Sequence, residues 1–425
     1  MNIPRLLIWL TGLAWTAAAP SLIAQGRPLS PLAPEPDWQL LNVYQETITR
    51  ETFSRRLEKV YAPRGAWKKW ITLTDEAAII RTRRDQPSEV YRLRFAASDS
   101  SEKPVPRYWR RASDFKNDPA DRPLKGVRIA LDPGHLGGEW AQMEERWFKI
   151  GGDKPVTEGD MVLTVGRHLE KNLQALGAEV LWVRATTQPV TSKRPSDLED
   201  VVREEFNSRG IKRHKIDYAG STDPTKMASI KWNSELFFYR NAEIRARAER
   251  VNTVLKPDLV VCLHFNAEGW GNPDKPELTR LNHFHALING CYSSGELAYD
   301  DVRFEMLLKL LDGSYPEELG LTDAVARVMA RETGLPPYLY LGSNALRVND
   351  NAYVWARNLL ANRLYLAPTV FLEPYVMNSQ AAYDRIQMGD YEGMREVEGR
   401  PRPSIFREYA DAVARGIGQY FKSRE

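Results

Sequence analysis

Four short islands carry the side chains best suited to chemistry in this chain: Asp132-Pro-Gly-His135, Glu158 opening an apolar-periodic run, Leu263-His264-Phe-Asn-Ala267, and Phe371-Leu-Glu373. Two imidazoles and one carboxylate on Zn²⁺ leave a fourth position for water, the ligand count of a catalytic site rather than a closed structural one. A further carboxylate can then take the proton from that water. Together the islands read as one zinc hydrolase site.

Such a site needs elements that bring distant residues to one place. From Lys125 onward, strand and helix patterns alternate, which predicts an α/β fold with a twisted, mostly parallel sheet flanked by helices. Val127-Arg-Ile-Ala-Leu131 is a short apolar strand running into Asp132-Pro-Gly, a forced turn that puts His135 at a strand's carboxyl end, where α/β proteins build sites. Glu158 opens an amphipathic helix with Val162, Val165, Leu169, Leu173 and Leu176 on one face and Gly177 as its stop. A carboxylate is favoured at that helix start by the dipole. Glu179 to Arg184 is the next strand. A helix over Asn241 to Leu255 leads into the buried strand Leu259-Val-Val-Cys-Leu263, with His264 at its carboxyl end, and Pro368-Thr-Val-Phe-Leu372 does the same for Glu373. A last amphipathic helix, Ile405 to Phe421, closes the domain.

The chain has 425 residues, 43% hydrophobic and 27% charged, enough for one large and one small domain. A net charge of +3 does not suggest nucleic acid as a partner, while a mildly basic surface suits an anionic wall polymer. Residues 1–25 read as a secretory signal peptide: Arg5, the apolar run Leu6-Leu-Ile-Trp-Leu10, then the small residues Ala17-Ala-Ala19. The alternative is an N-terminal anchor, but the apolar stretch is shorter than the about 20 residues that span a bilayer. No later segment is apolar enough to span, so an exported protein without a transmembrane helix in its mature chain is expected. Residues 26–37 are a proline-rich linker, 38–98 a small N-terminal α+β domain that folds as a packing module or binds the wall or a partner, and 99–124 a second linker. The catalytic part is 125–425, with a polar insertion at about 186–240. Cys262, inside an apolar run, reads as a buried free thiol, although one bridge to Cys291 is permitted.

The islands and their order resemble the zinc-dependent N-acetylmuramoyl-L-alanine amidases of bacterial cell walls, the type 3 amidases. The match runs through Leu131 to His135, Glu158 with Asp160 and Leu163, Arg247 with Asn252, His264 with Asn266 and Ala267, Glu373 with Asn378, and Gly416-Ile-Gly-Gln-Tyr-Phe421. The resemblance implies one Zn²⁺ held by His135, Glu158 and His264, with Glu373 as the catalytic acid/base. It implies peptidoglycan as substrate, the amide between N-acetylmuramic acid and L-alanine as the bond cut, and a periplasmic or otherwise exported location. Leu136 and Cys262 stand where the family usually has glycine and serine, and Pro374-Tyr375 follows Glu373 in place of a glycine and an aromatic.

Asn266 is a candidate substrate contact or a loop cap. His283 and His285 share one side of a predicted strand, so they could line the substrate site, bind a metal or serve structure. His168 is expected at a helix surface. Some amidases of this kind carry an inserted helix that covers the zinc until an activating protein removes it; a carboxylate from Asp197 to Glu205 could serve so here, or the insertion is a solvated helix beside the cleft. Two other functions fit the same residues: a peptidase or deacetylase of wall polymers, or a catalytically silent wall-binding protein.

Overall fold

The computed structural model describes residues 28–115, 122–273 and 275–423. The expected signal segment, residues 1–25, lies outside them. Near the N-terminus, β1 (Ile71–Leu73), β2 (Ala77–Arg81) and β3 (Val90–Arg94) form an antiparallel sheet. A helix opens at Arg50, where Thr49 caps it by accepting from Thr52 N, while Glu46 just before it is held at φ 65°. Phe53, Trp67, Trp70 and Leu93 from this part share one core with Phe304, Leu307 and Leu310 of the helix Asp300–Leu311.

Further along lie β4 (Arg128–Pro133), the short hairpin strands β5 (Trp147–Phe148) and β6 (Val156–Thr157), β7 (Glu179–Trp182) and β8 (Leu259–Leu263). They are followed by the ribbon β9 (Gly271–Asn272) with β10 (Lys275–Pro276), then β11 (Phe284–Ile288), β12 (Leu346–Arg347), β13 (Val354–Ala356) and β14 (Thr369–Pro374). Seven of these make the central sheet, in the order β12-β13-β11-β14-β8-β4-β7. Strands β7, β4, β8 and β14 are mutually parallel, β11 runs antiparallel to β14 and parallel to β13, and β12 is antiparallel to β13. This is the expected twisted, mostly parallel sheet, with direction reversed at β11.

The near-continuous apolar strands are those of a sheet covered on both faces. One face carries Leu131, Val261, Leu263, Leu372 and Ala286 and packs on the helices Glu158–Ala175, Tyr315–Thr333 and Ile405–Lys422. The other carries Ala130, Cys262, Phe371 and Leu287 under Ala248, Val251 and Ala361. Because side chains alternate along a strand, His264 and Glu373, two residues beyond Cys262 and Phe371, follow that second face at the strands' carboxyl ends. The helix expected over Asn241 to Leu255 is the end of a longer helical run that begins at Ile230, where Ser229 accepts from Trp232 N, and continues through π-helical turns at Phe238–Ala242 and Arg250–Leu255. Lys256 in the left-handed conformation stops it. Both cysteines are free and buried.

Candidate active site

The loop after β4 is built to bring His135 against His264. Arg247, 1% exposed, donates to Asp132 and to the Pro133 carbonyl, while its Nε bonds Glu243. Tyr365 Oη donates to the other Asp132 oxygen at 2.6 Å. Arg184 donates to the carbonyls of Pro133, Gly134 and His135. So clamped, the loop passes so close to His264 that a Cβ on Gly134 would lie 2.0 Å from that imidazole, which only glycine avoids. His135 itself is held at φ 49°, a strained conformation for a residue with a Cβ.

His135, Glu158 and His264 then converge, with one ligand atom from each lying within 4.8 Å of the others. Glu158 Oε2 is 3.5 Å from His135 Nε2, and Oε1 is 3.2 Å from His264 Nδ1 and accepts from Phe265 N. The His264 ring stacks on Phe371 at 4.4 Å. Glu158 is 2% exposed, whereas His135 and His264 keep 22% and 12% of their side chains exposed. The cluster is therefore approached past the two imidazoles. Glu373 flanks it: Leu372 pairs with Leu263 in register, and His264 N donates to the Leu372 carbonyl, so the next residues on β14 and β8 are neighbours.

Two charged residues of the stretch between His135 and Glu158 complete the site. The β5–β6 pairing, Trp147 with Thr157 and Phe148 with Val156, makes Arg146 the next residue opposite Glu158, whose N–H bonds the Arg146 carbonyl. Arg146 Nε lies 3.3 Å from both Glu158 Oε2 and His135 Nε2. On the far side of the same imidazole, Glu144 Oε2 is 3.0 Å from Nδ1 and also accepts from Leu136 N. A donor at Nε2 and a carboxylate at Nδ1 place the His135 proton on Nδ1, leaving the Nε2 lone pair facing Glu158. Glu145 between them takes φ 56°, which turns its carboxylate the other way, to Lys226 and Trp232 of the polar insertion.

Burial pulls the His135 pKa well below the usual histidine value, and Arg146 and His264 push the same way, so the ring is neutral and able to ligate. For His264 burial acts downward too, but Glu373 and Glu158 outweigh it and hold the pKa above the usual value. Burial works to raise Glu158, yet His135, His264 and Arg146 keep it below the ordinary carboxylate range. Glu373 moves the other way, up to about 7, through burial with the Glu158 charge adding to it. Glu144 is likewise raised to about 7 by burial.

Two neutral-capable imidazoles and an ionised carboxylate with converging donor atoms, one imidazole oriented by an outer carboxylate, fit Zn²⁺. The Arg146 guanidinium competes with a cation for His135 Nε2 and Glu158. Arg146→Gln is accordingly expected to tighten Zn²⁺ binding by about 10-fold, the scale on which groups behind metal ligands act; competition with a chromophoric chelator reads this, and unchanged or weaker binding counts against the competition.

The other candidates fall in different places. Asn266 caps its own loop through Ala267 N and faces His283 Nδ1 at 3.4 Å. His283 also meets Glu268, 3.2 Å from Nε2. His285 lies on β11 opposite Glu373. His168 pairs with Asp390 at the helix surface. In the insertion, Asp197 accepts from Arg194 N and Glu199 pairs with Arg203. Arg247 and Asn252 act on the scaffold: Asn252 bonds the Leu364 carbonyl and Leu366 N ahead of β14. Glu144 and Arg146 escaped the sequence reading, and the charge run Glu144-Glu145-Arg146 beside two apolar aromatics was the signal available for them.

No protein-family model matches the sequence, and a search of curated proteins finds no match. Among solved structures, the chain is similar to the N-acetylmuramyl-L-alanine amidase Ami1 from Mycobacterium smegmatis, at 16% identity and TM-score 0.37 over 71% of this chain and 99% of that one. It is also similar to the CwlD amidase from Clostridioides difficile, solved in complex with the GerS lipoprotein, at 14% identity and TM-score 0.38 over 70% and 100%. A third is the N-acetylmuramoyl-L-alanine amidase AmiC2 of Nostoc punctiforme, at 13% identity and TM-score 0.34 over 70% and 99%. At such identity and superposition, what the chain does has to be read from its own residues.

Proposed function

We propose that this chain is a zinc-dependent N-acetylmuramoyl-L-alanine amidase, exported to act on peptidoglycan. The observation that supports it most is the convergence of His135, Glu158 and His264 within 4.8 Å at the carboxyl edge of the sheet, with Glu373 on the neighbouring strand end. His135, Glu158 and His264 would hold the ion. When bound, Zn²⁺ supplies Lewis acidity toward the amide carbonyl and acidifies water. Glu373, half-buried and raised to about 7, accepts a proton from the attacking water as the carbon–oxygen bond forms. It then gives that proton to the nitrogen as the carbon–nitrogen bond breaks, freeing the amine of L-alanine and leaving a lactyl carboxylic acid, which ionises by giving up its remaining proton to solvent. Arg184 and Arg247 keep the His135 loop in place, and Glu144 fixes the His135 tautomer.

No helix among the described residues is long and apolar enough to cross a membrane. An activating protein partner would work through the insertion, since Lys226 and Trp232 grip Glu145 between the two residues that touch His135.

The test is mass spectrometry of what the protein, with one Zn²⁺ per chain, releases from purified peptidoglycan. Free stem peptides with an L-alanine amino terminus, lost on chelation, are expected. Cuts inside the stem or freed acetate would instead assign a peptidase or a deacetylase to the same zinc site, and intact sacculi a binding protein.

A further inference from the structure

Two leucines stand exposed on a loop that the fold ties down at both ends. In Tyr338-Leu-Tyr-Leu341 the side chains alternate. Tyr338 and Tyr340 turn inward onto the His285 ring, at 5.1 Å and 5.3 Å, while Leu339 and Leu341 face out and are 59% and 94% exposed. Leu341 is the most exposed large apolar side chain among the described residues. Single exposed leucines are ordinary, but two on one side of a fixed loop make an apolar patch that calls for a use.

The loop is held open by its ties. On one side of the tip, Tyr338 N donates to the Phe284 carbonyl, and Tyr340 Oη meets both His285 and Arg357. On the other, Arg64 donates to the Ser343 carbonyl at 2.9 Å, and Ala345 is buried in one core with Trp355. Residues 341–344 between these ties are all exposed. A projecting tip offers no concavity for a small ligand to enter, whereas the surface of a bilayer requires none.

The charge beside the tip is of one sign. Arg64 and Lys68 are exposed, and the Lys68 stem folds back over Gly65, next to Arg64. Neither cation pairs with a carboxylate among the described residues. They belong to residues 38–98, where basic residues outnumber acidic ones, while the rest of the chain is slightly acidic although the whole carries +3. Exposed apolar side chains beside unpaired cations match the two layers of an anionic lipid surface, acyl chains beneath phosphates.

We propose that Leu339 and Leu341, with Arg64 and Lys68 beside them, are the contact by which this chain seats on the surface of an anionic phospholipid bilayer. The leucines enter at the boundary between headgroups and acyl chains, and the two cations face lipid phosphates. This does not depend on the amidase reading. The inner side of the same loop packs on His285, which lies opposite Glu373, so a membrane that holds the tip holds the candidate site alongside it.

Vesicle flotation of the mature chain tests this. The chain should float with vesicles of equal parts phosphatidylcholine and phosphatidylglycerol, and far less with phosphatidylcholine alone. Leu341→Ser should weaken the partition by about 10-fold, the scale of one leucine side chain returned to water, and adding Leu339→Ser should weaken it further. Lys68→Gln should cost about 5-fold on the anionic vesicles and nothing on the neutral ones, the scale of one cation near a charged headgroup layer. Both leucines face solvent, so the serine variants should melt at the temperature of the unaltered chain, which separates lost binding from lost folding. Failure of the unaltered chain to float with the anionic vesicles, or flotation that the double serine variant retains, would overturn the proposal. Self-association in sedimentation velocity that the double variant loses, with no flotation by either, would assign the tip to a second copy of this chain instead.

Discussion

Glu373→Gln is expected to lower kcat on peptidoglycan fragments by about 10³-fold, within the range that a positioned acid/base supplies, while one Zn²⁺ per chain remains bound. Glutamine keeps the shape of the side chain and removes only its ability to take a proton, so the two readouts separate the base from the ligands. The unaltered protein should also lose kcat/KM as pH falls, because Glu373 accepts a proton only when ionised. Its pKa is raised to about 7 by burial and the Glu158 charge, against the pull of His264. A divalent cation nearby favours the carboxylate and lowers that value. The acid limb is thus expected at or below pH 7, and the Gln variant should lack it. Activity within about 10-fold of the unaltered protein would sink the assignment. Glu144, the other carboxyl raised to about 7, would then be the base to examine, although its oxygen is already committed to His135 and Leu136 N.

Lys309→Met is expected to destabilise the fold by about 3–5 kcal/mol, the cost of breaking a buried ion pair from one side. Lys309 and Glu318 are both fully buried and 2.6 Å apart, joining the helices Asp300–Leu311 and Tyr315–Thr333. Lys309 also donates to the carbonyls of Tyr365 and Ala367, and Glu318 accepts from Thr369 N, so the pair pins the entry of β14, the strand that carries Glu373. Burial already raises Glu318, and it raises Asp312, 3.7 Å from the same ammonium, to about 6. Without the cation, two buried carboxyl groups and two carbonyls lose their partner together. Equilibrium denaturation of Lys309→Met, Glu318→Leu and the double variant measures the coupling. The double variant should recover much of the loss, since apolar groups of similar size often replace a buried pair at little cost. Simple additivity of the two single losses would show that the pair does not act as a unit.

The candidate ligands His135, Glu158 and His264 and the proposed base Glu373 could be picked out because each sits where a local signal is strong. Apolar strands that end in Asp132-Pro-Gly, at Leu263 or at Leu372 announce a carboxyl edge, and period-two alternation fixes which face the next residues follow. Glu158 stands at the head of a helix whose apolar stripe is plain in the sequence. Those signals depend only on neighbours along the chain.

What the fold alone decided depends on pairing between distant segments. Nothing local to Glu144 and Arg146 says that a hairpin of two short strands will set Arg146 opposite Glu158, with Glu144 against His135; the β5–β6 pairing places the first of these. His285 was legible as a histidine on a strand, but its place beside Glu373 follows from β11 joining the sheet antiparallel to β14, and its contact with Tyr340 from a segment far along the chain. The core that Phe53 and Trp70 share with the helix Asp300–Leu311 is of the same kind. Periodicity by itself marked the strands β4, β8 and β14, the helices that open at Glu158 and Ile405, and the edge where the candidate residues collect. Register and docking, set by packing among residues hundreds apart, determined which donors, charges and tautomers meet there, because those energies exist only once the segments touch.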